Sequence, residues 1–581
     1  MIIASGGFRA TCRGSWLALV LLVLACSGPA TAQPPSTRGN EVPGPTALKR
    51  VALAVGGDVR LLYPSVGGIE GGSTTAGEEI VLELVNRGLS EADPASVFQP
   101  VLAEALPTLD NGLWQVFPDG RMETTWRIKP GVQWHDGTPY TSADLVFTLG
   151  LVTDPSSAFK RQPAYAAIEG AEAIDPRTVR VTWKQVSIEA NTLFSRELAS
   201  PLPRHLLESS AAADRVSFSQ LPYWSTEYVG TGPFKLKDFV AGSYIIFEAN
   251  DAFVMGRPKV DEVEVKLLPD ANAIMANVLA GSVDLMLGRE FNFDRAMVVE
   301  QQWKDGRAEP RISGSMALYV QFGPWRDPAV LSDVAFRRAL LHAIDRQQLV
   351  DILLDGRSSV AHVFLGPNEP EYDAIETSIQ RNDYDPRRSA QLLESLGYTR
   401  AADGLLRDRA SQQLAVEIRA DPGDTEQKAM HAVADAWHQA GVVVDQVVIP
   451  AQRMRDPEYL VTYPAFHVRG ESSRITGAIT NYLSANAALP EKAWIGANRG
   501  IYRDPELDEA VARYFGTVPI DQRVDALRTA IRRVTDQRPT MNLFYSLQFT
   551  LIANRVANME PSRSSGAASK TWNSHLWDVK G

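Results

Sequence analysis

The sequence predicts a mixed α/β protein built from more than one domain. Residues 48–55 alternate towards a first strand, and the helix-like stretch 426–440 is followed by the strand-like stretch 442–449. Helical and extended periodicities that alternate along one chain are typical of α/β architecture. The chain has 581 residues, which is more than one hydrophobic core accommodates, so we expect roughly two to four domains.

Composition and charge narrow the class of protein. Hydrophobic residues make up 45% of the chain and charged residues 22%, as in ordinary soluble globular proteins. The 58 Lys and Arg residues against 69 Asp and Glu residues give a formal net charge of −11. Because nucleic acid binding needs a positive surface and the chain has no long basic run, we expect no nucleic acid partner.

The first residues predict export. Arg9 and Arg13 precede an apolar run at 16–25, and the small-x-small pattern Ala-Thr-Ala at 30–32 is typical of a cleavage site. This order indicates a secretory signal peptide over 1–32, too short for a comfortable membrane span. Periplasmic localisation is therefore expected.

An alternative interpretation predicts a protein anchored to the membrane by a lipid. Residues 23–26 resemble a lipoprotein box in which Cys26 is lipidated, although Leu24 is bulkier than the residue usual there. The only cysteines are Cys12 and Cys26, so the mature protein cannot form an internal disulfide. Residues 33–47 are rich in Pro, Gly and polar residues and predict a flexible leader.

The stretch WHDGTP at 134–139 combines a histidine with a carboxylate. A strand is predicted at 124–128, a second short strand at 132–134, and a helix beginning after Thr141 with Asp144 in its first turn. Between them, residues 135–137 form a tight turn, which predicts a structural rather than a catalytic role. The residues of this motif are Trp134, His135, Asp136 and Gly137, the last supplying a positive φ.

Enzymatic alternatives find little support in the residue patterns. None of the eight histidines falls in an HExxH motif or a zinc-like cluster, and GxSxG and GxxxxGK[ST] motifs are absent. The GTG at 230–232 lacks the third glycine of a dinucleotide site. We expect no catalytic residue, no metal ligand and no cofactor, and we keep an exported hydrolase only as a remote alternative.

Several motifs together resemble one family. Residues 117–149 are similar to the signature of the extracellular solute-binding proteins of family 5, the peptide- and nickel-type receptors of ABC importers. Further matches follow in that family's order: Gly230-Thr231-Gly232-Pro233-Phe234, Ala280-Gly281-Ser282-Val283-Asp284, Phe336 to Leu340 with Ala343 to Arg346, Tyr384-Asp385-Pro386, Asp504 to Asp508 and Pro539 to Tyr545. The resemblance covers roughly residues 48 to 550.

The resemblance implies an architecture. It predicts a two-lobe periplasmic-binding-protein fold of the large type II form, with lobe I at 48–315 and an inserted subdomain near 84–220. Lobe II is expected at 316–512, and a return to lobe I with a C-terminal tail at 513–581. The chain is thus expected to cross between lobes near 315 and 512.

The same resemblance implies a function. The protein is expected to capture a peptide or related solute between the lobes and to deliver it to an ABC permease in the inner membrane, acting as a monomer. A second hypothesis keeps the fold but assigns a non-peptide solute, such as a metal chelate or an oligosaccharide.

One segment departs from the peptide-binding pattern. Amine-binding members usually present an aspartate after the strand that corresponds to 465–469, whereas this chain has Gly-Glu-Ser-Ser-Arg-Ile-Thr at 470–476. Arg469 and Arg474, together with His467, make the segment locally cationic, which suits a carboxylate. The predicted ligand-facing residues are Tyr63, His467, Arg469, Glu471, Ser472, Ser473, Arg474 and Tyr545.

Overall fold

The computed structural model describes residues 48–63, 66, 76–159, 162–211, 215–564 and 569–580. The predicted signal peptide, the leader and Cys26 lie outside the described residues. No helix within the described ranges is both long and apolar enough to cross a membrane.

Strands and helices alternate as the periodicity predicts. The strands are β1 (Arg50–Gly56), β2 (Ser90–Ala92), β3 (Phe98–Pro100), β4 (Trp114–Val116), β5 (Met122–Arg127), β6 (Ile168–Asp175), β7 (Thr178–Trp183), β8 (Phe234–Val240), β9 (Tyr244–Ala249), β10 (Glu262–Leu268), β11 (Leu285–Met286), β12 (Gly306–Val320), β13 (Thr399–Arg400), β14 (Leu406–Arg407), β15 (Ala415–Ala420), β16 (Val443–Val448), β17 (Phe466–Ser472), β18 (Thr540–Ala553), β19 (Val556–Ala557) and β20 (Asp578–Val579).

The helices occupy the segments between these strands. They are α1 (Ala76–Val85), α2 (Ser142–Thr153), α3 (Arg204–Leu207), α4 (Arg215–Ser219), α5 (Ala271–Leu279), α6 (Phe293–Gln302), α7 (Val334–His342), α8 (Arg346–Leu354), α9 (Tyr372–Ile375), α10 (Pro386–Ser395), α11 (Asp424–Gln439), α12 (Pro457–Val461), α13 (Ile475–Ala478), α14 (Pro505–Gly516) and α15 (Ile520–Gln537).

One large sheet organises the molecule. Its strand order is β16-β15-β17-β12-β18-β11-β1-β10-β9-β8. Strand β1 is parallel to β10 and β11, and β15 is parallel to β16 and β17, whereas β12 and β18 are antiparallel. A separate four-stranded sheet, β4-β5-β7-β6, lies in the 84–220 region.

Two apolar cores lie along this sheet. The first core contains Val51 and Leu53 of β1 and also Leu551 at the end of β18. The second core contains Leu318 of β12 and Leu543 of β18, together with residues of α7, α8 and α11. Strands β12 and β18 therefore run from one core into the other.

A third apolar cluster joins separate parts of the chain. It contains 363–379, 475–482 and residues of α14 and α15, including Leu507 and Ile531. Residue 315 lies within β12, and residue 512 lies within α14, two elements before β18. The lobe limits drawn from the sequence stay a prediction.

The predicted second strand at 132–134 is wrong. The backbone there makes only an isolated bridge between Gln133 and Pro139, because the chain folds back within a few residues. The predicted start of α2 is confirmed. Thr141 is its N-cap, and its amide donates to the Asp144 carboxylate at 2.8 Å in a capping box.

Candidate functional site

The candidate site lies on the sheet where β17 meets β12 and β18. Gly314 of β12 pairs with Ser472 of β17 on one side and with Ser546 of β18 on the other. This point lies between the two apolar cores, since the second core starts at Met316. The carboxyl end of β17 therefore lies at the junction between the two cores.

Strand β17 separates its side chains by face. Phe466 and Val468 are buried in the second core, so His467, Arg469 and Glu471 lie on the opposite face, because successive strand residues alternate. The alternation explains why three charged or titratable side chains of this segment share one surface. We call this surface the polar face of β17.

Glu471 is enclosed at the end of this face nearest the junction. It is 4% exposed, and its carboxylate accepts hydrogen bonds from the Tyr482 hydroxyl and, at 3.1 Å, from Asn542 Nδ2. Burial raises the pKa of Glu471 despite these donors. Its oxygens thus already have neutral donors within the protein.

Arg469 lies two residues before Glu471, on the same polar face of β17. Its direct neighbour on β12 is the small residue Ala317, and its guanidinium carbon lies 4.6 Å from the centre of the Tyr319 ring, within the range of a cation–π contact. Its Nη1 atom is buried and has no hydrogen-bond partner among the described residues. The guanidinium group of Arg469 is therefore held against the Tyr319 ring and keeps an unused donor at Nη1.

His467 and Asp421 form a pair beside Arg469. Nε2 of His467 lies 2.9 Å from Asp421 Oδ1. Burial lowers the pKa of His467 although Asp421 acts in the opposite direction, so we take the neutral ring to donate its Nε2 proton to Asp421. The Nδ1 atom has no hydrogen-bond partner in the described part of the chain.

Tyr463 and Arg419 lie beside His467 on the same surface. The Tyr463 ring lies 5.6 Å from the His467 ring, and the Arg419 guanidinium carbon lies 5.6 Å from the Tyr463 ring centre. Arg419 is bound to Glu417 at 2.7 Å, whereas the buried Tyr463 hydroxyl has no hydrogen-bond partner within the described ranges.

Arg499 approaches the same surface from a distant segment. A β-carbon at Gly500 would lie 3.6 Å from the Tyr463 hydroxyl oxygen, which places this backbone against that ring. Burial, followed by the charge of Arg469, lowers the pKa of Arg499. Both arginines are half-buried, and the positive charge of Arg469 disfavours the charged form of Arg499.

Sequence reasoning missed Tyr319, Asp421, Tyr463 and Arg499. They belong to four separate segments, and only the pairing of β12, β15 and β17 and the return of 495–502 bring them to His467 and Arg469. Their spacing in the chain carries no pattern from which this grouping could be predicted.

The three residues after Glu471 lie in different environments. Ser472 is exposed and its hydroxyl accepts from the Arg474 amide at 3.2 Å, whereas Ser473 is fully buried. Arg474 Nη1 lies 3.1 Å from Glu197 Oε2. Burial raises the pKa of Glu197, but Arg196 and then Arg474 outweigh it and hold that pKa below its ordinary value.

The two tyrosines predicted to face the ligand are enclosed. Tyr63 is 2% exposed, its hydroxyl donates to the Ser200 carbonyl at 2.7 Å, and its ring packs against Trp224. Tyr545 is also 2% exposed and donates to the Leu365 carbonyl at 2.8 Å. In this conformation, both hydroxyls are satisfied by the protein's own backbone.

The WHDGTP stretch lies elsewhere, against the GTG turn. The His135 amide donates to the Gly230 carbonyl at 2.9 Å, and its ring contacts the amide of Gly230 and the carbonyl of Gly232, each at 3.1 Å. Asp136 accepts from His205 Nε2 at 2.7 Å. His135 and Asp136 therefore bond to different partners, as in a structural junction.

The remaining residues of this junction have backbone or packing roles. Gly137 has φ of +86°, and Trp134 is 2% exposed and packs 5.3 Å from the Tyr140 ring. No group of three or more His, Cys, Asp and Glu side chains that could hold a metal occurs among the described residues.

The family is decided by comparison of the sequence with family models. Residues 98–472 match the model of the bacterial extracellular solute-binding proteins, family 5. This chain belongs to that family. The match covers more than half of the 581 residues and includes β17 and the WHDGTP junction.

Individual relatives are similar over different shares of their length. The oligopeptide-binding protein AppA of Bacillus subtilis is 28% identical over 56% of this chain and 56% of its own length. Heme-binding protein A of Haemophilus influenzae is 24% identical over 84% of this chain and 86% of its own length. The match to the first of these thus spans little more than half of the relative.

Solved structures show the same fold. NikZ of Campylobacter jejuni, crystallised with Ni(L-His), superposes with a TM-score of 0.69 at 21% identity, covering 91% of this chain and 99% of that one. The expected fold class is confirmed: the protein has the mixed α/β, two-lobe fold of type II periplasmic binding proteins. Members of this family are binding proteins rather than enzymes.

Proposed function

We propose that this protein is an extracytoplasmic substrate-binding receptor of an ABC importer. It captures a peptide or a related solute in the cleft between its lobes and presents the closed form to a permease in the inner membrane. Its relatives include a protein named for oligopeptides and one named for heme, so the family accommodates chemically different solutes.

The observation that carries the proposal is the pair of strands that joins the two cores. Strands β12 and β18 pair in antiparallel register from Gly306↔Ala553 to Tyr319↔Thr540, with an irregularity between Ile312 and Gly314. A long two-stranded connection of this kind acts as a hinge, because small backbone rotations between the cores open or close the cleft.

A polar contact supports closure across that cleft. We assign Glu197 to the first lobe and Arg474, which follows β17, to the second. Their 3.1 Å ion pair then joins the lobes. Such a partly exposed pair contributes about 0.2–1 kcal/mol, which is enough to bias a closed form without preventing opening.

The same segment favours a second candidate ligand class. The residues at 470–476 lack the aspartate usual in amine-binding members, and Glu471 is already bound by Tyr482 and Asn542. A non-peptide solute, such as a metal chelate or an oligosaccharide, is therefore the alternative to a peptide. An exported hydrolase remains the remote third hypothesis.

A thermal-shift screen of the exported protein tests the proposal. Dipeptides, longer peptides, chelated nickel and sugars are added separately, because a ligand that binds only the native state raises the melting temperature by mass action. Stabilisation by peptides alone supports the first class, and stabilisation by chelates or sugars alone supports the second. Turnover of a bound compound would overturn both.

Export and membrane attachment are tested on the mature protein. We propose cleavage after residue 32 and a free periplasmic form, with lipid attachment at Cys26 as the alternative. Mass spectrometry of the mature N-terminus distinguishes them, since a chain that begins at residue 33 has no Cys26 and an acylated chain begins with it.

A further inference from the structure

Residues 562–564 of the C-terminal tail lie between two loops that belong to different apolar cores. One loop joins β2 to β3, and Leu89 and Val101, which flank these two strands, are buried in the first core. The other loop is 366–369, which follows Leu365 of the third apolar cluster. We call residues 562–564 the strap, because this short segment contacts both loops.

The strap is attached to the first core through its backbone. The amides of Arg563 and Ser564 both donate to the Pro94 carbonyl, at 2.7 and 3.1 Å. Further along the tail, the Ser569 amide donates to the Ala92 carbonyl at 3.2 Å. Because these are main-chain bonds, substitution of a side chain in the strap leaves them in place.

The opposite side of the strap binds the loop 366–369. The Ser564 hydroxyl donates to Glu369 Oε2 at 2.7 Å, and Asn368 Nδ2 donates to the Arg563 carbonyl, also at 2.7 Å. Ser564 and Glu369 are 1% and 7% exposed, so the bond between them is shielded from water. A hydrogen bond to an ionised acceptor is stronger than a neutral one. Two bonds thus connect the strap to a segment of the third cluster.

The strap also lies against the hinge strand β12. Arg311 Nη1 donates to the Ser564 carbonyl at 3.0 Å, and Asn368 Nδ2 donates to the Ile312 carbonyl at 3.1 Å. These contacts lie next to the irregularity in pairing between Ile312 and Gly314. Rotation of the cores about this point therefore changes the distance between the strap and the loop that it binds.

We propose that the strap is an intramolecular latch that holds the lobes in the closed arrangement, with the tail on the first lobe and 366–369 on the second. The inference rests on the proposed receptor function and specifies what regulates its closure. A displacement of about 1 Å takes a 2.7 Å bond beyond hydrogen-bond distance, so opening breaks both bonds. The strap stays on the Pro94 carbonyl and binds again when the lobes close.

The test measures the arrangement of the lobes with two spin labels. Ala173 of β6 and Ala512 of α14 are exposed, so each is replaced by cysteine with little disturbance. The mature chain that begins at residue 33 contains no other cysteine, and the labels therefore attach only at these two positions. Double electron–electron resonance without added ligand gives the ratio of short to long distances, which is the ratio of closed to open molecules.

Three variants separate the two sides of the strap. Ser564→Ala removes the donor to Glu369, and Asn368→Ala removes the donor to the Arg563 carbonyl. Ser96→Ala is the matched control, because the Ser96 hydroxyl donates to Ser564 Oγ at 2.7 Å from the β2–β3 loop and makes no bridge to 366–369. Circular dichroism and the ligand-free melting temperature establish that each variant is folded.

We expect Ser564→Ala to lower the ratio of closed to open molecules about tenfold, since loss of a hydrogen bond to a charged group corresponds to roughly that factor or more. Asn368→Ala removes a neutral bond across the same boundary and should lower the ratio about threefold. Ser96→Ala should leave the ratio of the wild type unchanged.

Other outcomes overturn the latch in distinguishable ways. A wild type with only the long distance, an unchanged ratio in Ser564→Ala and Asn368→Ala, or an equal fall in Ser96→Ala would each contradict it. If both distances occur in every chain at the same ratio, the lobes move as the receptor function requires and only the latch fails. If one distance persists in every chain, in Arg474→Gln and after addition of each screened solute, the receptor function fails as well.

Discussion

The ring of His135 is held between two backbone groups of the GTG turn. Its Nδ1 accepts from the Gly230 amide and its Nε2 donates to the Gly232 carbonyl, each at 3.1 Å. Two motifs separated by about ninety residues in the chain therefore interlock, and the arrangement requires a neutral ring with its proton on Nε2. The histidine that resembles a proton-transfer group instead joins two segments.

A methyl group at Gly232 should destabilise the protein. A β-carbon there would lie 2.4 Å from the backbone carbon of Val85, so the turn and α1 would have to separate. We expect Gly232→Ala to lower the free energy of unfolding by about 3 kcal/mol, measured by urea denaturation. Gly150→Ala is the control, because Gly150 lies on an exposed part of α2 with open space around it; comparable loss in both variants would contradict this explanation.

Acid should destabilise the junction through His135. Burial lowers the pKa of His135 from its ordinary value of 6.5 to about 4. Between these values the unfolded chain binds a proton that the folded chain does not, so stability falls as pH decreases from 6.5 towards 4. The contribution is about 3 kcal/mol over this range.

The measurement compares urea unfolding at pH 7.5 and pH 4.5. His135→Gln should show a smaller difference between the two pH values than the wild type, whereas the exposed His438→Gln should show the same difference. His362 and His575, whose pKa values burial also lowers to about 4, leave a residual dependence. An unchanged pH difference in His135→Gln would exclude the assignment.

The C-terminal tail should depend on Glu83 of α1. One carboxylate oxygen of Glu83 accepts from the Ser569 hydroxyl and from the amides of Lys570 and Thr571 at 2.8 to 2.9 Å. Glu83→Ala removes the shared acceptor and leaves Arg196 with fewer anionic partners. We expect a loss of about 3 kcal/mol in unfolding free energy and faster proteolysis of the tail.

The matched control for Glu83 is Glu104→Ala. Glu104 forms an exposed ion pair with Arg177 at 2.8 Å, which contributes less than about 1 kcal/mol. Limited proteolysis followed by mass spectrometry locates the cleavage. If the tail is cleaved at the same rate in Glu83→Ala and Glu104→Ala, Glu83 does not hold it.

Loss of Arg474 should favour the open form. The Arg474–Glu197 pair is partly exposed, so Arg474→Gln should change the ratio of closed to open molecules by up to about fivefold. Small-angle X-ray scattering without ligand should give a larger radius of gyration. Arg204→Gln, which removes the exposed pair with Glu208, should leave the radius unchanged, and a response of both variants would point to a general charge effect.

Local patterns predicted much of the local structure. Thr141 and Asp144 mark the start of α2, because a capping box depends on residues three apart. The strand-like run at 442–449 predicted β16, and the helix-like stretch at 426–440 predicted α11. The prediction of a short strand at 132–134 is wrong because its partner would lie only a few residues away, within the turn itself.

The family, the α/β class and the choice of 467–474 as a candidate binding segment follow from the amino-acid sequence alone. The folded chain was needed to see that Arg474 reaches Glu197, that Tyr63 and Tyr545 donate to backbone carbonyls, and that the backbone at Gly500 packs against Tyr463. The difference lies in the distance along the chain over which each interaction acts. Capping, turns and strand alternation depend on neighbours in the chain, whereas the polar face of β17 forms when distant strands pair and their side chains share one surface.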